Sequence, residues 1–278
     1  MSRRKPFKII KAHGGKENFS RHKLLRSLRR TGLPMRKCSL IADKVSREIY
    51  EGTTTRDIYR RALRLVKESS PVAASHFSLK KSLFELGPTG HLFELYVAKY
   101  FEALGYKTEV CQTVKGRFVS HEVDVIATRG AECLFVECKF HNRQGIRNDI
   151  KIALYVKARW DDVREGAEKK RITGYCLASN TAFTLDALAY AQGTGLKLLG
   201  VNAPEGESFL DQIRKLHLYP ITSLGRLSNL IRAELLAQNI ILANELPGQK
   251  KLLLKLGLSE SDFNLLVSEI AKLTEGNK

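Results

Sequence analysis

Residues 121–140 read HEVDVIATRGAECLFVECKF, and this stretch constrains the fold more than any other part of the chain. Apolar and charged residues alternate on both sides of the central Thr-Arg-Gly, and a period of two predicts β-strands with one buried face. The charged positions are Glu122, Asp124, Glu137 and Lys139. The chain must therefore fold so that a hairpin presents three acids and a cation away from its apolar side.

Residues two apart in a strand share a face, so Glu122 points with Asp124, and Glu137 points with Lys139. Carboxylates that lie close together raise each other's pKa unless a cation neutralises them. Mg²⁺ suits such a site because it takes oxygen ligands and keeps several waters. A metal-bound water is a better nucleophile, and a lysine can orient it or stabilise developing phosphate charge. The pattern indicates metal-assisted phosphodiester hydrolysis. Spacing alone equally allows a solvated strand face with a cross-strand salt bridge.

The segments around this hairpin predict an α/β domain. A helix is expected from Thr89 to a stop at Gly105, followed by an antiparallel meander of three strands, YKTEVCQ, FVSHEVDVIA and CLFVECKF. Residues 146–170 are expected to be helical. The segments GYCLAS and LKLLGV then predict buried strands that alternate with helices. We expect this domain to end near Pro220.

The acids and the lysine occupy positions that resemble the PD-(D/E)xK nuclease superfamily, specifically its Mrr-like restriction-endonuclease branch. Asp124 stands at the end of the second strand, and ECK at 137–139 is the (D/E)xK element. Downstream, GYCLASNTAFTLDALAYAQGTGLKLLG is similar to the continuation of that branch. The resemblance covers residues 89–215 and implies a restriction-endonuclease-like core with a mixed sheet.

The resemblance also implies roles for the site residues. Asp124 and Glu137 would bind Mg²⁺ or Mn²⁺ with the Cys138 carbonyl oxygen as a third ligand, and Lys139 would position the attacking water. Glu94, in the preceding helix, would complete the outer coordination sphere. The alternative for Glu94 is a solvated residue at the margin of an amphipathic helix. DNA is the substrate that the resemblance implies.

The other polar and sulfur-containing residues near the hairpin point to no further site. Glu122 is expected to be a surface carboxylate that assists at most. His121 and His141 are expected at the polar rim, because their spacing suits no zinc motif. The five cysteines form no Cys-x-x-Cys pair and are expected to be reduced, buried small hydrophobes.

The positive charge of the chain is concentrated at its start. The formal net charge is +18, and residues 1–87 contribute 22 Lys+Arg against 7 Asp+Glu. Such an excess predicts a polyanionic partner. This stretch reads as a short strand, FKII, followed by helices, with Ser20, Thr54 and Ser70 as predicted N-caps.

The same stretch resembles the ATP-cone, a nucleotide-binding regulatory module of ribonucleotide reductases and their repressors. The match covers residues 6–86 and includes the TTRDI helix entry at 54–58. It implies ATP or dATP as an effector. The residues expected to contribute to nucleotide binding are Lys11, Gly14, Glu17, Lys23 and Thr55. The alternative is a basic helical domain that binds nucleic acid by charge alone.

Three domains follow from these patterns: an ATP-cone at 1–87, a nuclease domain at 88–220, and a small helical module at 221–278. The last is loosely similar to a helix-hairpin-helix module, and a role in packing or oligomerisation is equally compatible with its sequence. The overall class is α/β, with a mostly helical N-terminal part.

The predicted function is a Mg²⁺-dependent endodeoxyribonuclease, regulated by ATP or dATP. The alternative is a nucleotide-responsive DNA-binding regulator with an inactive nuclease fold, and a structure-selective nuclease is a third hypothesis. The expected partners are DNA and a nucleotide, with a homo-oligomer left open. The chain shows no signal peptide and no apolar run of membrane-spanning length, so we expect no membrane partner and a cytoplasmic location.

Overall fold

The computed structural model describes residues 7–11, 14–143, 145–166, 172–201, 203–204 and 206–274. It divides into two compact units. The first unit comprises Met1–Ser82, Tyr219–Arg232 and Ala243–Lys278, and the second comprises Leu83–Leu218 and Ala233–Leu242. The three-domain division stays a prediction. Among the described residues no helix combines the length and the apolar character needed to cross a lipid bilayer.

The first unit begins with a two-stranded antiparallel hairpin that is followed by helices. The elements are β1 (Lys8–Ile10), β2 (Lys16–Asn18), α1 (Arg21–Arg29), α2 (Met35–Arg47), α3 (Thr55–Ser69) and α4 (Pro71–Phe84). Leu28, Cys38, Val45 and Ala62 are fully buried in one shared core. The apolar periodicity of the sequence therefore predicted most of the buried positions of α1, α2 and α3. It was wrong for Leu40 of α2, which was expected on the apolar face and is exposed.

Hydroxyl side chains cap these helices as predicted. The Ser20 hydroxyl accepts a hydrogen bond from the Lys23 N–H at 3.3 Å, and the Thr54 hydroxyl accepts one from the Asp57 N–H at 3.1 Å. The Ser70 hydroxyl likewise accepts from the Ala73 N–H at 3.2 Å. Each cap satisfies a backbone donor that has no partner within the helix.

The C-terminal part of the chain is helical, as its sequence predicts. It contains α9 (Asn229–Ala237), α10 (Lys250–Lys255) and α11 (Glu260–Thr274), with 3-10 turns at Ile221–Ser223 and Ala243–Gln249. In the first unit, Glu269 of α11 is 5% exposed and accepts a hydrogen bond from the Ser75 hydroxyl of α4 at 3.2 Å. Arg226 pairs with the same carboxylate at 3.2 Å. A buried polar contact thus joins the beginning and the end of the chain.

The second unit is built on a five-stranded mixed sheet with strand order β3-β4-β5-β7-β9. The strands are β3 (Lys107–Lys115), β4 (Ser120–Arg129), β5 (Glu132–Lys139), β7 (Gly174–Ser179) and β9 (Lys197–Leu199). β3, β4 and β5 form the predicted antiparallel meander, and β5, β7 and β9 are parallel. A separate parallel pair is formed by β6 (Arg147–Asn148) and β8 (Ala182–Phe183).

Helices pack on this sheet through apolar and aromatic side chains. They are α5 (His91–Ala103), α6 (Ile150–Glu165), α7 (Leu185–Thr194) and α8 (Phe209–Lys215). Val156 of α6 and Ala187 of α7 share a core cluster with Phe135 and Leu177 of the sheet. On α5, the ring of Tyr100 lies edge-on to Phe209 of α8, with centroids 5.4 Å apart. Helix α5 also contacts β3 and β4, and Glu94 in its first turn accepts a hydrogen bond from the Cys111 thiol of β3.

The structure corrects several expectations. The two- and three-residue strands β2, β6 and β8 were not expected, because strands this short carry too few residues to show alternation. The helix expected at 146–170 covers Ile150–Glu165, and residues 167–170 lie outside the described part. The expectation that all cysteines are buried is wrong for Cys111, which is exposed, and for Cys138, which is partly buried. All five thiols are free.

Candidate active site

The site lies where strands β4 and β5 part. Their antiparallel pairing runs from Arg129↔Glu132 to Val125↔Val136, so Asp124 and Glu137 are the next residues on each strand. Beyond the last backbone pair, a side chain of β4 binds the backbone of β5: the Asp124 Oδ2 accepts a hydrogen bond from the Cys138 N–H at 2.6 Å. Two acids therefore stand side by side at the end of the strand pair.

Glu137 forms an ion pair that the sequence did not indicate. Arg159 of α6 donates from Nη1 to the Glu137 carboxylate and from Nη2 to the carbonyl oxygen of Glu122. The arginine is buried, and its guanidinium lies 5.3 Å from the ring centroids of both Phe135 and Tyr155. The positive charge of Arg159 thus neutralises Glu137, one of the two acids. No motif signalled this, because Arg159 is twenty-two residues from Glu137 and lies in an ordinary helical sequence.

The two acids differ in their electrostatic environments. Burial raises the pKa of the Asp124 carboxyl to about 7, and the carboxylates of Glu137 and Glu94 add to the rise. Burial also raises the pKa of Glu137, while the Arg159 guanidinium and the Lys139 ammonium oppose that shift. Asp124 therefore lies beside a second carboxylate without enough positive charge nearby to hold its pKa at the ordinary value. The donor set therefore fits a hard divalent cation, with Asp124 and Glu137 as oxygen ligands.

Lys139 lies two residues beyond Glu137 on β5, on the same side of the strand. Its backbone carbonyl accepts a hydrogen bond from the Ser179 hydroxyl at 2.7 Å. Asn148, which is 2% exposed, donates to the same hydroxyl at 2.8 Å. Asn180 binds both the N–H of His141, at 2.9 Å, and its carbonyl, at 2.8 Å. Ser179 at the end of β7 and Asn180 directly after it thereby position the end of β5 that carries the lysine.

Glu94 stands in the first turn of α5, with its side chain 19% exposed. Its Oε2 lies 3.5 Å from His91 Nδ1 and accepts from the Cys111 thiol at 3.6 Å. In the described residues, His91, Glu94 and Cys111 are the three side chains whose potential ligand atoms all lie within 4.8 Å of one another. The Glu94 carboxylate is close enough to Asp124 to raise the pKa of that acid. Its direct contacts, however, are to His91 and Cys111, which the sequence did not indicate.

The two histidines on either side of the acids have structural partners. His121 contacts Asp162 through Nε2 at 2.7 Å, and that carboxylate also accepts from the Phe118 N–H at 2.9 Å. His141 contacts the Asn148 side chain at 2.9 Å. Glu122 is exposed. These contacts favour structural roles for both histidines.

Three of the five predicted nucleotide-binding residues line a pocket in the first unit. The pocket has a volume of about 200 Å³, and its lining includes Glu17, Lys23 and Thr55. Lys11 and Lys23 both pair with Glu17, at 2.9 and 3.1 Å. Gly14 has a φ of +86°, a backbone conformation that side-chain-bearing residues rarely adopt. Lys11 and Gly14 are not among the lining residues.

The mixed sheet, the paired acids and the adjacent lysine define a nuclease-like α/β domain. Residues 88–203 match the family described as restriction endonuclease, which confirms the resemblance to the Mrr-like branch. Residues 219–274 match the family described as AF1548-like, C-terminal. The ATP-cone resemblance of residues 1–87 stays a prediction.

A sequence comparison and a structure comparison each extend the similarity over about two thirds of the chain. An uncharacterized protein from Archaeoglobus fulgidus is 33% identical over 179 residues, which are 64% of this chain and 99% of that protein. The crystal structure of a protein of unknown function, AF1548, is 30% identical, with a TM-score of 0.54 over 68% of this chain and all of its own. The chain belongs to the AF1548-like family.

Proposed function

We propose that this protein is a divalent-metal-dependent endonuclease that hydrolyses phosphodiester bonds in DNA. The observation that carries the proposal is the position of Asp124 beside Glu137 at the end of the β4–β5 ladder, where its carboxylate accepts a hydrogen bond from the Cys138 N–H. Asp124 is partly buried, and the raised pKa that burial gives it supports the same conclusion. Two neighbouring carboxylates destabilise a fold unless a cation binds them. The family match over residues 88–203 supports the same reaction class.

In this mechanism Asp124, Glu137 and the Cys138 carbonyl oxygen would hold Mg²⁺ or Mn²⁺. When bound, the metal would lower the pKa of a coordinated water and offset negative charge on the phosphate. Lys139 orients the attacking water and stabilises charge that develops on the phosphoryl oxygens. Glu94 adds negative charge next to Asp124, which favours cation binding at that acid.

The ion pair between Arg159 and Glu137 supports a positioning role for the arginine. Its two donors bind Glu137 and the Glu122 carbonyl, so it links the ends of β4 and β5. A carboxylate restrained in this way loses less side-chain freedom when it binds a metal. We therefore include Arg159 in the proposed site as a positioning residue.

Cleavage of supercoiled plasmid tests this proposal. Purified protein is incubated with Mg²⁺ or Mn²⁺, or with EDTA, and nicked and linear products are quantified. Asp124→Asn and Lys139→Ala should each reduce the rate at least 10²-fold, since each removes a group that acts in the reaction. Glu132→Gln is the matched control, because Glu132 lies at the other end of β5 and pairs with Lys197 at 2.6 Å. Wild-type rates in both site variants would refute the assignment.

One observation favours a second candidate, a DNA-binding regulator with an inert nuclease fold. Arg159 already neutralises Glu137 without a metal. Calorimetric titration with Mg²⁺ and Mn²⁺ separates the two functions. A nuclease should bind the metal and lose that binding in Asp124→Asn. DNA binding that needs no metal, together with no nicking over long incubation, would establish the regulator.

We further propose that the first unit binds ATP or dATP and thereby regulates the nuclease. The pocket lined by Glu17, Lys23 and Thr55 supports this, and two lysines close to it supply positive charge for phosphates. Titration calorimetry should show binding that Lys23→Ala weakens at least tenfold, with exposed Lys37→Ala as the control. Cleavage rates and particle mass with and without ATP or dATP then test regulation and oligomerisation. Equal affinity of wild type and Lys23→Ala would refute the pocket assignment.

A further inference from the structure

His91, Glu94 and Cys111 form a cluster at the first turn of α5. His91 and Glu94 are three residues apart, so they lie on the same side of the helix one turn from each other. Cys111 comes from β3 and lies opposite Asp124 in the strand register, between the pairs Val110↔Val125 and Gln112↔Val123. Three different ligand atoms therefore meet outside the pair of acids at Asp124 and Glu137.

The separations within this cluster match a tetrahedral metal site. With zinc–sulfur bonds of about 2.3 Å and zinc–nitrogen or zinc–oxygen bonds of about 2.0–2.1 Å, two ligands of a tetrahedron lie about 3.4–3.6 Å apart. The His91 Nδ1 to Glu94 Oε2 distance is 3.5 Å, and the Cys111 Sγ to Glu94 Oε2 distance is 3.6 Å. One ligand atom from each residue lies within 4.8 Å of the others. The third separation, between His91 and Cys111, is at most 4.8 Å, so the three atoms are close enough to share one ion.

The chemistry of the three ligands distinguishes this cluster from the paired acids. A thiolate, an imidazole and a carboxylate favour Zn²⁺, whereas Mg²⁺ selects oxygen ligands. Cys111 is exposed and the His91 side chain is 52% exposed, so an ion can enter from solvent. Binding would release the thiol proton of Cys111 to solvent, as thiolate coordination requires. A fourth position would remain for water.

We propose that His91, Glu94 and Cys111 bind a zinc ion at a site separate from the paired acids Asp124 and Glu137. Resting on the proposed nuclease function, this site has a regulatory consequence. Zinc that coordinates Glu94 places positive charge next to the paired acids, and repulsion between the two cations weakens Mg²⁺ binding there. Zinc would therefore inhibit the Mg²⁺-supported reaction.

Cobalt provides a direct test, because Co²⁺ bound to a thiolate gives a near-ultraviolet charge-transfer band. The full-length protein is stripped with EDTA, dialysed and titrated with Co²⁺, and Zn²⁺ is then added as competitor. We expect one equivalent of Co²⁺ to produce the band and Zn²⁺ to abolish it. Cys111→Ser should eliminate the band, and His91→Ala should weaken Co²⁺ binding at least tenfold. The controls are Cys38→Ala and His22→Ala, which alter a buried thiol and an exposed imidazole of the first unit.

Two further variants separate this site from the proposed nuclease site. Asp124→Asn should retain the band, since Asp124 is not a ligand of this cluster. Loss of the band in Asp124→Asn, or in Cys138→Ala but not in Cys111→Ser, would overturn the assignment.

If the protein cleaves DNA, Zn²⁺ should inhibit cleavage by the wild type. Inhibition of Cys111→Ser should need a Zn²⁺ concentration at least tenfold higher. The cobalt band decides the zinc site even if no cleavage occurs. His91→Ala keeps the test valid if Cys111→Ser fails to fold, because His91 is on the surface.

Discussion

Replacing Asp124 by Asn should stabilise the metal-free protein above neutral pH. The pKa of Asp124 is about 7 in the folded protein, against an ordinary value of 3.8. The unfolded chain therefore releases this proton at lower pH than the folded protein does, and the stability of the wild type falls as pH rises from about 4 to about 7. At about 1.4 kcal/mol per pH unit, the loss is up to about 4 kcal/mol.

The asparagine variant avoids this loss because it carries no charge to bury. Its side-chain oxygen can still accept the hydrogen bond that the Cys138 N–H donates to Asp124. We expect the free energy of unfolding of Asp124→Asn to exceed that of the wild type by about 2–4 kcal/mol at pH 8 in EDTA. The difference should vanish near pH 4. Mg²⁺ at pH 8 should stabilise the wild type and leave the variant unchanged, since ligand binding to the folded state alone stabilises it.

Urea unfolding in EDTA at pH 4, 6 and 8 measures these differences. Trp160, the single tryptophan, stacks on Tyr175 with centroids 4.4 Å apart, so its fluorescence reports on the second unit, which contains the site. Asp186→Asn is the matched control, because Asp186 is an exposed acid in the first turn of α7. It should change stability by about 0.5 kcal/mol or less. Equal stability of wild type and Asp124→Asn at pH 8 would refute the buried-acid reasoning.

Three other predictions follow from the same contacts. Arg159→Gln leaves the partly buried Glu137 carboxylate without its cation, so it should lower the free energy of unfolding by about 3 kcal/mol at pH 8, as urea unfolding would show. The loss should become smaller as the pH falls, because burial raises the pKa of Glu137 and protonation removes the unpaired charge. Thr54→Ala removes the cap of α3 and should destabilise the first unit by about 1 kcal/mol, measured by circular dichroism during urea unfolding. If the basic residues of the first unit contact DNA, the logarithm of the binding constant should fall linearly with the logarithm of salt concentration, with a slope of about −0.9 per phosphate neutralised, and a flat dependence would exclude this contact.

Short-range patterns in the sequence predicted the elements that depend on neighbouring residues. Alternation at 121–140 predicted β4 and β5, and helical periodicity together with Ser20, Thr54 and Ser70 predicted the starts of α1, α3 and α4. Alternation and caps are local, because a strand face repeats every two residues and a cap involves a donor three residues away. The same locality explains why Asp124, Glu137 and Lys139 could be predicted as a candidate site.

The groups that complete or surround that site come from distant segments, and only tertiary structure decided them. Arg159 reaches Glu137 from α6, and Cys111 of β3 meets His91 and Glu94 of α5. Neither contact leaves a pattern in the sequence, because nothing in the spacing of these residues reflects which helix packs on which strand. The sequence by itself determined the longer strands of the sheet, the caps and the charged hairpin. The packing of α5 and α6 on the sheet decided which charges meet, since electrostatic partners depend on distances in space.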